Sequence, residues 1–226
     1  IGSSAFNGCS SLTSVTIPDG VTTIGSSAFN GCSSLTSVTI PGSVTEIYNY
    51  AFYGCSSLTS VTIPDSVTEI CYCAFSGCRS LTSVTIGNSV KYIENYAFDG
   101  CSGLTSVTIG NSVTFIDSDA FRGCSGLTNV TIPDSVTEIG KEAFRGCSLT
   151  SVTIGNGVTS IGSYAFYNCS SLTRVYCKAI VPPIIVNNTF DKVSATATLY
   201  VPTGCKAAYA AATEWSKFKT IEETQF

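Results

Sequence analysis

The sequence predicts a curved, right-handed solenoid of stacked 23-residue coils, each a β-strand followed by a short helical turn, with the strands side by side in a parallel sheet. Three observations carry this reading. Phe6, Phe29, Phe52, Phe75, Phe98, Phe121 and Phe144 recur every 23 residues. Cys9, Cys32, Cys55, Cys78, Cys101, Cys124 and Cys147 keep the same period, and after a one-residue deletion Phe166 and Cys169 resume it at 22. Residues 1–18 and 24–41 are identical, IGSSAFNGCSSLTSVTIP. A fixed period of this length marks a repeat architecture, in which each unit contacts only its neighbours.

The unit Leu58–Cys78, LTSVTIPDSVTEICYCAFSGC, shows how the elements follow. Val61 and Ile63 alternate with Ser60 and Thr62, so Ser60–Ile63 reads as a strand with one face inward. Val and Thr suit a strand. Pro64-Asp65 ends it, because proline has no N–H for the ladder; Gly87-Asn88 serves at the same corner of another copy. Val67 and Ile70 return to the core. Ala74 and Phe75 fall in a short helical or 3₁₀ turn, closed by Gly77-Cys78. One such unit has too few large apolar side chains to offset the ordering of its backbone, so the units must stack and share their flanks.

Leu58, Val61 and Ile63 fit the L-x-x-L-x-L pattern, with Ser66 at the common Asn position. The recurring LTSVTIPxSVTxIxxxAFxGC resembles the BspA-type leucine-rich repeat of bacterial and protozoan surface proteins, over residues 1–177. The resemblance implies a leucine-rich-repeat solenoid that is secreted or attached to a cell surface. It also implies an adhesin-like module recognising a protein, such as a host extracellular-matrix or cell-surface protein. The tail, PPIIVNNTFD then ATLYVPTGCKAAYAAATEW then FKTI, is similar to the C-terminal cap of Bacteroides-type members.

The chain is therefore divided into a repeat array, 1–177, and a degenerate repeat with a cap, 178–226. Thr189-Phe190 is a worn Ala-Phe. Leu199–Val201 reads as a last strand, and about Cys205–Thr213 as an alanine-rich helix. Tyr209, Ala212, Trp215 and Phe218 are expected over the open end of the core. At the other end Ile1 falls mid-repeat and no residue is Met, which leads to the expectation of a processed form or a fragment.

Composition narrows the function. The net charge is −4 with only 12% charged residues, and no basic run offers a footprint for nucleic acid. No stretch approaches the roughly 18 apolar residues of a membrane span. Histidine is absent, which removes the usual general base and the commonest zinc ligand. The expectation is a chain without catalysis, cofactor or metal. Of the 12 cysteines, eight form the periodic column. Side chains in one column point the same way, about 4.8 Å apart. That fits buried free thiols better than disulfides, which need converging Cβ atoms about 3.8 Å apart, or a metal site. Cys71 and Cys73 stand outside the column.

Two surfaces are candidates for binding. The outward strand positions repeat Ser and Thr, as at Ser60 and Thr62, on what leucine-rich repeats use as a concave sheet; Asn129, Arg174 and Tyr176 interrupt them. The second is an aromatic patch at variable, outward positions, Tyr48, Tyr50, Tyr53 and Tyr72, continued by Tyr92, Tyr96 and Phe115. Tyrosine is enriched at interfaces, although tyrosines packing on one another would look the same. Glu94, Asp99, Asp117 and Asp119 form an acidic zone beyond it, and Arg122 with Arg145 a small basic one. The alternative to a binding module is a structural spacer presenting other domains, which the uniform Ser and Thr face favours.

Overall fold

The computed structural model describes residues 1–226 as a parallel β-solenoid of about nine coils with almost no helix. Each coil contributes two strands. The first coils give β1 (Ser14–Thr16), β2 (Thr23–Ile24), β3 (Ser37–Thr39), β4 (Glu46–Ile47), β5 (Ser60–Ile63) and β6 (Glu69–Ile70). The middle coils give β7 (Ser83–Ile86), β8 (Tyr92–Ile93), β9 (Ser106–Thr108), β10 (Phe115–Ile116), β11 (Asn129–Ile132) and β12 (Glu138–Ile139). The last give β13 (Ser151–Ile154), β14 (Ser160–Ile161), β15 (Arg174–Cys177), β16 (Ile184–Ile185), β17 (Thr198–Pro202) and β18 (Thr220–Thr224).

The odd-numbered strands form the expected sheet, here the broad one. Its register follows the repeat: Val61 lies beside Val84 and Val84 beside Val107. Pairing is interrupted between β3 and β5 and between β9 and β11. The even-numbered strands other than β18 form a second, narrow sheet that the sequence did not announce. It runs unbroken through eight strands, from β2 to β16.

The third side of each coil is the turn, and its hydrogen bonds explain why it is not a helix. Ala74, Ser76 and Cys78 donate their N–H groups within the coil, to the carbonyls of Cys71, Cys73 and Phe75. The intervening Cys73, Phe75 and Gly77 donate instead to Asn95, Ala97 and Asp99 of the next coil, at 3.1, 2.8 and 2.8 Å. A helix would keep all six bonds inside. The alternation is made possible by positive φ at Cys73 (54°) and Gly77 (75°). The first of these positions carries a non-glycine residue in every coil, which costs roughly 1–2 kcal/mol; the bond to the next coil offsets it.

The core lies between the three sides. Phe29, Leu35, Val38, Ile40, Val44 and Ile47 are all buried, as the period requires. The phenylalanine rings stack in one column from Phe6 to Phe190, with neighbouring centroids 5.1–5.4 Å apart and planes within 8°. The cysteine column runs beside them. All 12 cysteines are free thiols. Cys55 donates its S–H to the carbonyl of Phe29, 3.2 Å away in the preceding coil, and Cys78, Cys101, Cys124, Cys147 and Cys169 repeat the contact. A thiol is small enough for the corner and still supplies a donor.

At the C-terminal end, Tyr209 of the helix α1 (Lys206–Ala211) and Trp215 are fully buried. The Tyr209 hydroxyl donates to the Ala179 carbonyl at 2.7 Å, and the Trp215 indole N–H to the Pro183 carbonyl at 2.7 Å. Trp215 and Phe218 both pack on Phe190, the last ring of the column, at 5.4 and 5.1 Å. The helix is shorter than its alanine content suggested. β18, which pairs with β17, was not anticipated.

Candidate functional site

The aromatic patch stands on the narrow sheet and the turn beside it. Tyr50 and Tyr96 occupy the positive-φ position of their coils, at 59° and 60°. That conformation turns their rings along the stack. Tyr50 meets Tyr53 at 5.7 Å and Tyr72 at 5.3 Å, and Tyr72 meets Tyr96 at 5.7 Å, all edge to face. The result is a continuous chain, Tyr53–Tyr50–Tyr72–Tyr96, across three coils. Edge-to-face pairs are the favoured arrangement of aromatic quadrupoles. A hydrogen bond with the Tyr50 hydroxyl heads the causes that push the Tyr72 phenol up to about 12. Tyr50 and Tyr53 remain 36% and 42% exposed.

Tyr48 is not part of this chain. Its hydroxyl donates to Glu46 Oε2 at 3.0 Å, and that bond raises its pKa. Tyr92 and Phe115 form a separate pair on the narrow sheet, with centroids 6.1 Å apart and planes tilted by 33°. They lie in register with Glu69 on one side and Glu138 on the other. Glu94 sits between pair and chain: its Oε2 accepts the backbone N–H of Tyr72 at 2.6 Å. Burial, then the neighbouring Glu94, raises the pKa of Glu69.

The expected acidic zone divides. Asp99 and Asp119 face Arg122 at 3.8 and 3.1 Å. Arg145 is held by Glu142 at 2.6 Å and lies over the Tyr167 ring. Glu94 and Asp117 have no such cation.

Arg174, Tyr176 and Asn129 lie on the other face, the broad sheet. Asn129 and Arg174 flank Ser151 in register. Asn129 is engaged locally, its Oδ1 accepting the Ser151 hydroxyl at 2.6 Å. Arg174 is exposed. Tyr176 stacks on Tyr200 with centroids 4.6 Å apart, and Phe226 approaches it edge-on at 6.5 Å. Tyr200 and Phe226 were missed. The alternation in Leu199-Tyr200-Val201 did place Tyr200 outward; nothing signalled Phe226. The seven candidates thus fall into two groups: Tyr50, Tyr53 and Tyr72 joined by Tyr96, with Tyr48 beside them, and Asn129, Arg174 and Tyr176 on the broad sheet. No three Cys, Asp or Glu side chains converge in a metal-binding arrangement. No helix is long and apolar enough to cross a membrane.

The BspA type leucine rich repeat region matches the chain in six copies, over residues 1–128 and 118–224. Among solved structures, a leucine-rich repeat protein from Bacteroides ovatus is similar at 29% identity over 93% of this chain and 68% of its own, with a TM-score of 0.63. A leucine-rich repeat protein from Eubacterium ventriosum is 30% identical over 61% of this chain and 44% of its own, with a TM-score of 0.51. The leucine-rich repeat protein of T. pallidum shares the fold at 24% identity, over 94% of this chain and 85% of its own, with a TM-score of 0.60. No curated protein matches the chain.

Proposed function

The chain belongs to the BspA-type leucine-rich-repeat family, and from that premise we propose that it is a non-catalytic protein-binding module, secreted or displayed on a bacterial surface. One observation carries the proposal: the surface chain Tyr53–Tyr50–Tyr72–Tyr96, exposed at Tyr53 and Tyr50 and half-buried at Tyr72 and Tyr96. Its rings are fixed by one another and by a backbone hydrogen-bonded from coil to coil. A surface ordered before contact loses little freedom on binding, and tyrosine is among the side chains that dominate interface energies. The partner we propose is a host extracellular-matrix or cell-surface protein, as the resemblance to adhesin-like members implies. The Arg174–Tyr176 cluster is a second anchor on the opposite sheet. The spacer reading draws on the broad sheet, where Ser60, Ser83 and Ser106 repeat in register with no large side chain between them.

The test is capture of matrix and surface proteins on the immobilised chain, followed by alanine substitution. Replacing Tyr50, Tyr53 or Tyr72 is expected to cost about 2 kcal/mol or more of binding energy, and replacing Ser83 or Thr85 well under about 1 kcal/mol. Equal small losses at all of these positions would defeat the anchor assignment. Failure to capture any protein would leave the spacer.

A further inference from the structure

The outward column of the narrow sheet reads Thr23, Glu46, Glu69, Tyr92, Phe115, Glu138, Ser160 and Ile184 from one end to the other. Its centre is two exposed rings, Tyr92 at 45% and Phe115 at 37%. They border an open groove of about 160 Å³, with Ile93 below and Glu69, Glu94 and Asp117 around it. That volume is enough for one planar side-chain head group.

The charge around the rings is one-sided and uncompensated. None of Glu46, Glu69, Glu94, Asp117 and Glu138 takes part in any of the chain's seven ion pairs. Internal hydrogen bonds occupy Glu94 Oε2 and Asp117 Oδ1 and leave the other oxygen of each free. Among the strands of this sheet and the residues flanking them, Lys91 is the one cation.

We propose that the Tyr92–Phe115 groove seats an arginine side chain from a basic segment of the partner protein. The inference rests on the protein-binding reading and names the chemistry of what is bound. A guanidinium is planar, stacks on aromatic faces and presents its N–H groups as a fork to carboxylates. The groove offers both halves of that match, ring faces and the free oxygens of Glu94 and Asp117. A cation there would also offset the burial and the neighbouring Glu94 that together raise the Glu69 pKa. Lysine, a strongly hydrated point charge, would gain less from the rings. A neutral apolar segment would leave the carboxylates desolvated and unpaired.

The experiment is fluorescence anisotropy of the full chain with short labelled Gly-Arg, Gly-Lys and Gly-Gln repeat peptides, at low and high salt. The variants are Y92S, F115S, E69Q and E94Q, with E222Q on β18 as the control. Serine already stands in this column at Ser160, and the amide introduced by E94Q retains an acceptor for the Tyr72 N–H, so the variants should fold; thermal melts check each. The Gly-Arg peptide is expected to bind tightest, to weaken at high salt, and to lose about tenfold or more with Y92S, F115S or E94Q. E222Q should bind as the parent does. Equal binding of the Arg and Gln peptides, no binding at all, or full binding by Y92S and F115S would overturn the proposal. A captured protein that depends on Tyr50, Tyr53 and Tyr72 and is indifferent to E69Q and E94Q would overturn the arginine seat and leave the binding module standing. A groove that binds the Arg peptide as expected in a chain that captures no protein would support the seat and remove the wider reading.

Discussion

The thiol column makes the fold sensitive to alkali, and the size of the effect follows from the structure. Burial pushes the thiols of Cys55, Cys101 and Cys169 from an ordinary 9.0 up to about 12. Burial likewise holds Cys78, Cys124 and Cys147 well above the ordinary value. Between about pH 9 and 12 the unfolded chain has released protons that the folded chain keeps. Stability therefore falls as pH rises through this window. At pH 10 each of the three column thiols held at about 12 contributes a loss of about 1.4 kcal/mol, about 4 kcal/mol together, and the other raised thiols act in the same direction. A domain is stable by roughly 5–15 kcal/mol in all. A marked loss of stability is expected by pH 10, before most lysines lose their charge.

The assay is the urea midpoint by far-ultraviolet circular dichroism from about pH 8 to 10, with reducing agent present. Replacing Cys78, Cys101 and Cys124 together by alanine removes three of the ten thiols whose pKa is raised. The variant will be less stable at neutral pH, having lost three S–H donors and some packing. Its dependence on pH should nonetheless be shallower than the parent's, because the slope counts titrating groups and not packing. A midpoint unchanged across the window, or a triple variant as steep as the parent, would refute the reasoning. So would rapid reaction of all twelve thiols with a chromogenic disulfide in the native protein, because reaction requires exposed thiolate.

Two further outcomes test the architecture. Phe98→Ala removes a ring stacked at 5.4 Å on Phe75 and 5.2 Å on Phe121, and is expected to cost about 3–5 kcal/mol in chemical denaturation; less than about 1 kcal/mol would show that the column is not continuous. Truncation after Cys177 removes Tyr209, Trp215 and Phe218 from the end of the core and β17 from the edge of β15, and is expected to raise light scattering through edge pairing. A truncated chain that stays monomeric and equally stable would show that residues 178–226 are not a cap.

The inward half of this molecule was legible because each inward position recurs in every coil. Phe, Leu, Val and Ile return at fixed offsets, and their burial follows from the period alone. The narrow sheet was not legible. Its strands are two residues long, as at Glu69-Ile70, and two residues cannot display an alternation. The turn was legible as a turn, but its sharing of N–H groups between coils depends on positive φ at Ser27, Tyr50, Asp119 and their equivalents, where glycine would have been the signal. β18 was hidden because Ile221 is the one buried residue in a strand of polar ones. At the surface, substitution of the repeat by tyrosine marked outward positions, and no more. Tyr48 and Tyr50 are two apart in sequence, yet only Tyr50 joins the chain of rings, because Tyr50 sits at the turn and Tyr48 at the end of a strand. Tyr176 and Tyr200 meet because a worn repeat still keeps its register.

The hydrogen-bonding of the coils also decides where recognition can reside. The threonine preceding most of the broad strands is already spent. Thr59 donates its hydroxyl to the Thr36 carbonyl at 3.1 Å, and Thr82 and Thr105 continue the ladder at 3.0 Å. No buried side-chain polar atom lacks a partner. Binding capacity is therefore confined to outward side chains that the ladders do not use. On the broad sheet these are mainly short hydroxyls, which offer hydrogen bonds without area. On the narrow sheet and its turn they are tyrosines, Phe115 and carboxylates free of cations. Large rings supply buried area and ring faces, and unpaired charge supplies direction. The weight of any recognition should then fall on the narrow sheet, away from the hydroxyl-bearing face that the repeat pattern alone brings forward.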